Sequence, residues 1–222
     1  MSVICSETFQ RSFEVKGVKA RIMKLTRSRL AILVISFAAV FPRAGHAESL
    51  AIRNCTWCHG VSAQGYNPAP GLAGQRREYI QSQLRNFSEH TRDNPFSQLY
   101  MWGATANLSP ATAHDLAIYF STLPPQAADD GYRALEEKGK AIYQLGMPDA
   151  NTAACVVCHG PNAEGVGEIP RLGGLAYTYL KRRLEQWGQG YHATAKPPMP
   201  GIASKLSVEQ IEALASYLSF VK

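Results

Sequence analysis

Apolar side chains recur at helical spacing near the end of each half of the sequence. The stripe in the second half is formed by Ile211, Leu214, Leu218 and Val221, and the stripe in the first half by Leu116, Phe120 and Leu123. Ser207 precedes the second stripe as a helix N-cap, and Gln210 completes a capping box with it. Ser109 caps the first stripe, with Pro110 at the first helical position. The pattern predicts a closing helix in each half.

Other segments also have helical patterns. Residues 76–88 and 176–188 predict a middle helix in each half. The second half has a helical approach over 132–145, whereas the first half offers only 48–54 before its first cysteine, which predicts a turn or two of helix. The connecting segments are rich in Gly and Pro and lack the alternation of a strand, so the predicted fold class is all-α with long loops.

The two halves are related by an internal repeat with a period of 100 residues. The positions that recur 100 residues later with the same or a similar side chain are Cys55, Cys58, His59, Gly60, Pro70, Leu72, Gly74, Tyr79, Leu84 and Phe87. After a two-residue deletion the register resumes at 98, where Met101 matches Met199. The repeat predicts two domains, 48–123 and 131–222, joined by the proline-containing linker 124–130.

Residues 1–47 have the character of a leader. From Met23 a basic start, an apolar run over 30–41 and a small-residue exit over 45–47 predict a secretory signal that is cleaved after Ala47. The apolar run is too short to cross a membrane, which needs ~20 residues. Residues 1–22 precede the signal, and Met23 is the predicted true start. The expected product is exported.

The formal charge of +6 belongs to this leader. Residues 1–47 hold eight of the 23 basic and two of the 17 acidic residues, which leaves fifteen of each sign in 48–222. The near-neutral product gives no reason to expect a nucleic-acid partner or strong electrostatic steering. One basic run, Lys181-Arg182-Arg183, predicts either a solvated helix face or a docking site for an acidic partner.

The four cysteines beyond the leader lie in two Cys-x-x-Cys-His boxes, Cys55 to His59 and Cys155 to His159. Two thiols separated by two residues reach the two vinyl groups on one edge of a porphyrin, and the adjacent histidine reaches the iron. The boxes predict two covalently attached haem c groups, with Cys55, Cys58, Cys155 and Cys158 as the thioether residues and His59 and His159 as proximal ligands. Disulfides, a thioredoxin-like redox site or a four-cysteine zinc site are the alternatives, and they leave the two histidines unexplained.

A second axial ligand would complete each iron. Met199 lies in a proline-rich loop at 196–201, and Met101 occupies the matching place in the first half, so both are predicted axial ligands. Met147 has no counterpart and reads as loop or core. The histidines outside the repeat register, which are expected at the surface, are His90, His114 and His192. Pro70 and Pro170 each follow the proximal histidine by eleven residues, where a backbone carbonyl could accept the Nδ1 proton.

With these boxes, methionines and proline loops, residues 50–220 resemble the cytochrome c4 family of tandem dihaem class I cytochromes c. The resemblance implies two all-α domains, each wrapped around one haem, that shuttle single electrons in the bacterial periplasm. It implies a quinol-oxidising complex as donor and a terminal oxidase as acceptor, with loose attachment to the inner membrane allowed. The short first helix is also similar to the dihaem subunit of flavocytochrome c sulfide dehydrogenase, which accepts electrons from a flavoprotein.

Three functions are therefore compared. A free electron carrier, which is not itself an enzyme, has two coordinatively saturated irons and no substrate site. A dihaem enzyme such as a peroxidase or thiosulfate dehydrogenase needs an exchangeable iron position with acid–base residues beside it, and the two matched methionines argue against this. An electron-accepting subunit of a dehydrogenase would form a stable complex with its partner.

Overall fold

A computed structural model describes residues 49–191 and 198–222 of the chain. The predicted leader, its start at Met23 and its cleavage after Ala47 lie outside these residues, as does His192. Among the described residues, no helix has the length and apolar character needed to cross a membrane.

The described chain is helical and irregular, and it contains isolated bridges but no strand. The α-helices are α1 Leu50–His59, α2 Arg77–Ser88, α3 Trp102–Thr105, α4 Pro110–Thr122, α5 Glu136–Leu145, α6 Val156–His159, α7 Tyr177–Gly188, α8 Met199–Ala203 and α9 Val208–Phe220. A π-helical turn, Ser97–Met101, precedes α3, and short 3₁₀ turns occupy Arg133–Leu135 and Pro148–Ala150. The predicted all-α class is confirmed.

The two closing helices begin where their caps predicted, and the two middle helices lie in the predicted segments. Ser109 and Ser207 accept hydrogen bonds from Thr112 N and Gln210 N, and the capping box at Ser207 is complete. These bonds satisfy amides that have no partner within the helix. The segments 76–88 and 176–188 are helical as α2 and α7, each from the second residue onward. Local sequence alone therefore positions four of the helices.

The opening helix of the first half is longer than predicted. Its approach to the first box is short, as expected, but α1 continues without a break from Leu50 to His59. Ser49 accepts a hydrogen bond from Ile52 N and so starts it. In the second half the approach helix α5 ends at Leu145 and is followed by Gly146, whose φ is +69°. The box helix α6 begins separately. The first box is thus one end of a single helix, and the second box is a short helix of its own.

Both predicted axial methionines lie in helical backbone, which corrects the loop prediction from Met199 onward; Pro198 is a turn, and residues 196 and 197 lie outside the described part of the chain. Met101 ends the π-helical turn Ser97–Met101 and leads directly into α3. Met199 is the first residue of α8, and Pro200 follows within the first turn, where the missing N–H of proline costs no helical hydrogen bond. Prolines are compatible both with a loop and with the first turn of a helix, so this sequence does not distinguish the two.

Each half has its own hydrophobic core around its closing helix. In the first half Leu116, Ala117 and Phe120 of α4 pack with Ile80 of α2 and Ala63. The core of the second half is formed by Tyr143, Ala163, Tyr177, Leu180, Leu214, Ala215 and Leu218. Cys55 and Cys155 pack against the margin of these two cores. Each predicted attachment site therefore adjoins apolar packing of its own half.

Replacing Gly139 by alanine is expected to destabilise the second half. Gly139 is buried on α5, and a Cβ there would collide with the Ala213 carbonyl oxygen and Tyr217 Cβ of α9. Overpacking of this kind costs about 1–3 kcal/mol. The matched control is Gly103→Ala in α3, where a Cβ meets no atom within 4 Å. Thermal unfolding followed by circular dichroism should show a lower midpoint for the first variant, and an unchanged or higher midpoint for the second.

Candidate haem sites

The two predicted proximal histidines end the box helices and are buried. His59 and His159 have 7% and 5% of their surface exposed, while Cys58 and Cys158 are exposed. The residue after each histidine is a glycine with a φ of +83° and +80°. Only glycine adopts such backbone readily, so the chain turns immediately after the box. The turn leaves the imidazole beneath the loop that follows it.

Each imidazole is oriented by a proline carbonyl of that loop. His59 Nδ1 lies 2.8 Å from Pro70 O, and His159 Nδ1 lies 3.0 Å from Pro170 O. A carbonyl only accepts, so Nδ1 carries the proton and Nε2 keeps its lone pair. Burial lowers the pKa of both histidines, which favours the neutral ring. The predicted proline contact is confirmed in both halves, and it leaves Nε2 in the state needed to bind iron.

The proline loops are fixed by their own backbone. In the first half the Ala63 carbonyl accepts from both Leu72 N and Ala73 N, at 2.8 and 3.0 Å. In the second half the Ala163 carbonyl accepts from Leu172 N and Gly173 N, at 2.7 and 3.1 Å. Because these bonds recur at the repeat positions, the position of each imidazole is set by a rigid loop and does not depend on an exposed side chain.

The thiols do not resemble a redox or zinc site. All four cysteines are free of disulfide bonds, and burial raises the pKa of Cys55 and Cys155 to about 11. A thioredoxin-like site needs the opposite shift, because the thiolate is the reactive form. Among residues 49–191 and 198–222, no three His, Cys, Asp or Glu side chains cluster closely enough to hold a metal ion. The thioredoxin-like alternative therefore loses support, and the paired boxes fit haem attachment.

The predicted axial methionines are half-buried in both halves. Met101 is anchored by its carbonyl, which accepts from the buried Thr105 Oγ1 at 2.9 Å. Met147 has 8% exposure and is core, as predicted. His90 and His114 are exposed, and His90 stacks on Trp102 with ring centroids 4.0 Å apart. The two histidines outside the repeat register that the structure describes thus lie at the surface, as predicted.

A group of guanidinium side chains lies between the halves, and the sequence had not indicated it. Arg92 is 93% buried, as its 7% exposure shows, and it donates to Gln83 Oε1 at 2.7 Å and to Tyr179 Oη at 3.4 Å. Its Nε is buried without a hydrogen-bond partner. Burial and the charge of Arg92 lower the pKa of Arg183 to about 10. Buried positive charge of this kind needs an anion, and the propionate carboxylates of a haem fit that need.

The basic run at 181–183 makes contacts within the chain. Lys181 Nζ pairs with Glu212 at 2.6 Å. Arg182 Nη2 donates to the Pro68 carbonyl of the first half at 2.7 Å, and its guanidinium lies 4.2 Å from the Phe96 ring centroid. These contacts engage two members of the run within the chain, one of them across the two halves. The run is therefore not a uniformly solvated face, and its role in docking an acidic partner stays a prediction, since Lys181 keeps 29% of its side chain exposed.

Comparison with known proteins agrees with the geometry. The cytochrome c family model matches the chain twice, over residues 46–124 and 136–222. The chain is similar to cytochrome c4 of Thiocapsa roseopersicina, with 35% identity over 80% of this chain and 91% of that one. It is also similar to the thiosulfate dehydrogenase electron acceptor of Thiomonas intermedia, at 32% identity over 86% and 90%. The solved cytochrome c4 structure of Acidithiobacillus ferrooxidans superposes with a TM-score of 0.71 and 33% identity, over 75% of this chain and 98% of that one.

Proposed function

The chain belongs to the cytochrome c family, as a dihaem member of the cytochrome c4 type, and we propose that His59 with Met101 and His159 with Met199 are the axial ligands of its two haem c groups. Cys55 and Cys58 would hold the first haem, and Cys155 and Cys158 the second. The observation that carries the proposal is the paired hydrogen bond of each histidine to its proline carbonyl, which leaves Nε2 free in both halves.

The function that follows is one-electron transfer by a protein with two haems. When bound, each haem supplies an iron that changes oxidation state by one electron. His59 and His159, held by their proline carbonyls, would bind the iron, the cores of the two halves would adjoin the rings, and Met101 and Met199 would each supply a thioether. Two saturated irons leave no position for a substrate, so the chain is proposed to carry electrons and to perform no reaction of its own.

The proposed location is the periplasm, in agreement with the predicted signal sequence at 23–47. The proposed domains are 48–123 and 131–222. The proposed donors are a quinol-oxidising complex or a dehydrogenase, and the proposed acceptor is a terminal oxidase. Similarity to a thiosulfate dehydrogenase electron acceptor supports a second candidate, in which the chain accepts electrons within a dehydrogenase complex.

A spectroscopic redox titration of the matured protein tests the ligand proposal. We expect two haems per chain, two reduction potentials, and a methionine–iron charge-transfer band for the oxidised form of both haems. Resonance Raman should show six-coordinate iron throughout. A five-coordinate haem in the resting protein would overturn the carrier proposal and favour an enzyme.

Purification at low ionic strength separates the two candidate roles. A free carrier is expected to elute as the cytochrome alone, because a near-neutral surface gives no strong electrostatic attraction that would hold a partner at low ionic strength. A stoichiometric flavoprotein or quinoprotein that remains bound through gel filtration would favour the dehydrogenase subunit.

Replacing Arg92 by glutamine is expected to lower the reduction potentials. We propose that the buried Arg92 would face the haem carboxylates, and removal of its charge would then stabilise the oxidised iron relative to the reduced iron by on the order of tens of millivolts for one electron. Arg92→Lys keeps the positive charge, so its reduction potentials should stay close to those of the wild-type protein. The control Arg77→Gln removes a charge whose side chain is 51% exposed and paired with Glu78, and it should leave both potentials nearly unchanged. Equal shifts in the Arg77 and Arg92 variants would contradict the assignment.

A further inference from the structure

Gln75 joins the proline loops of the two halves. Gln75 is 5% exposed. Both the oxygen and the nitrogen of its side-chain amide form hydrogen bonds with the second half. Gln75 Oε1 accepts from Arg171 N at 2.7 Å, and Gln75 Nε2 donates to Arg171 O at 2.9 Å. Its backbone N donates to Leu72 O at 3.2 Å, within the first-half loop that begins at Pro70. One side chain thus connects the loop of one predicted proximal ligand to the loop of the other.

The bonded N–H belongs to the same peptide group that orients His159. The Pro170 carbonyl accepts from His159 Nδ1 at 3.0 Å, and the N–H of that Pro170–Arg171 peptide donates to Gln75. A peptide group that donates at one end becomes a better acceptor at the other, because hydrogen bonds in a chain polarise one another by roughly 10–30% per bond. Gln75 therefore strengthens the hydrogen bond from the His159 imidazole.

The repeat breaks this arrangement on the other side. The position equivalent to Gln75 is Leu175, and its Cδ2 lies 3.7 Å from where a Cβ of Gly71 would stand. Leu175 thus lies in van der Waals range of Gly71, the residue equivalent to Arg171. A leucine offers the Pro70–Gly71 peptide no acceptor. Each histidine is accordingly bonded to an equivalent proline carbonyl, but only the Pro170–Arg171 peptide also donates to a glutamine.

We propose that Gln75 is a positioning residue of the first half that lowers the reduction potential of the haem in the second half. A stronger bond from Nδ1 makes the imidazole a better electron donor to iron, and this stabilises the oxidised state. The haem of the first half lacks the corresponding effect, because Leu175 replaces the glutamine. The inference rests on the proposed ligation by His59 and His159.

Gln75→Leu tests the proposal in the matured dihaem protein. The potential of the second haem should rise, with a change of about two- to fourfold in the oxidised-to-reduced ratio at a fixed potential, because the substitution acts on the ligand through one intervening peptide group. The first haem should not change. Paramagnetic proton NMR, with the methyl resonances assigned to each haem, reports the two halves separately. The matched control is Gln64→Leu, because Gln64 bonds Pro124 O and Gln126 N of the linker and makes no bond to Arg171.

Leu175→Gln is the reciprocal test and does not depend on the first variant being stable. It places an acceptor beside the Gly71 N–H and should lower the potential of the first haem alone. Equal shifts of both haems, or potentials of the second haem that are the same in wild type and Gln75→Leu, would overturn the proposal. Failure of the ligand assignment is recognised separately, since it would appear in the haem count and ligation spectra of the wild-type protein.

Discussion

Replacing both Cys155 and Cys158 by serine is expected to halve the covalent haem content of the protein. Serine forms no thioether with a vinyl group, so the second half loses its attachment while the first box is untouched. A pyridine haemochrome assay against protein concentration should fall from two haems per chain to one. The variant should also unfold at a lower temperature, because the bound ring contributes apolar core to a small, loop-rich half.

The reciprocal variant with Cys55 and Cys58 changed to serine provides the matched control. It should also retain one haem, held by Cys155 and Cys158, and the two variants should each keep one of the two wild-type potentials with modest shifts. A variant that retains two covalent haems would contradict the assignment of its box. Loss of both haems in either variant would show that the halves mature only together, which the separate cores do not predict.

The sites were predictable where the chemistry is local. A Cys-x-x-Cys-His box places three groups within five residues, and its helix needs no distant contact to do so. The contact of Pro70 with His59 was predictable for a different reason, since the repeat returned the same spacing at Pro170. The caps at Ser109 and Ser207 likewise act within one turn of the chain.

The contacts between the halves could not be predicted from the sequence. Arg92 reaches Tyr179, 87 positions away, and Gln75 reaches Arg171, 96 positions away. A single arginine or glutamine carries no periodic signal, and its burial is decided by tertiary packing. The repeat itself carries one signal, because Gly74 recurs as Gly174 but the next residue changes from Gln75 to Leu175. A polar residue that departs from the repeat marks a place where the two halves differ.

The methionine segments show how a correct placement can accompany a wrong local structure. The repeat register places Met101 and Met199 at equivalent positions, whereas the prolines around Met199 predict a loop. The structure has a π-helical turn at Ser97–Met101 and a helix from Met199. A π-helical turn interrupts regular helix geometry and is frequent at functional sites, so the backbone at Met101 suits a side chain that must be directed at a cofactor.

Replacing Met199 by histidine is expected to lower one reduction potential strongly and leave the other nearly unchanged. An imidazole in place of the thioether stabilises oxidised iron, and axial ligands move haem potentials within a range of ~0.8 V, so a fall on the order of 100 mV or more is expected. The charge-transfer band of the oxidised protein should lose about half its intensity, because one of the two proposed Met–iron bonds remains. Met101→His should lower the other potential.

Met147→Leu is the control: Met147 is buried core with 8% exposure, and a leucine there should leave both potentials and the band unchanged. If the Met199 variant kept the full band and both potentials, Met199 would not be an axial ligand.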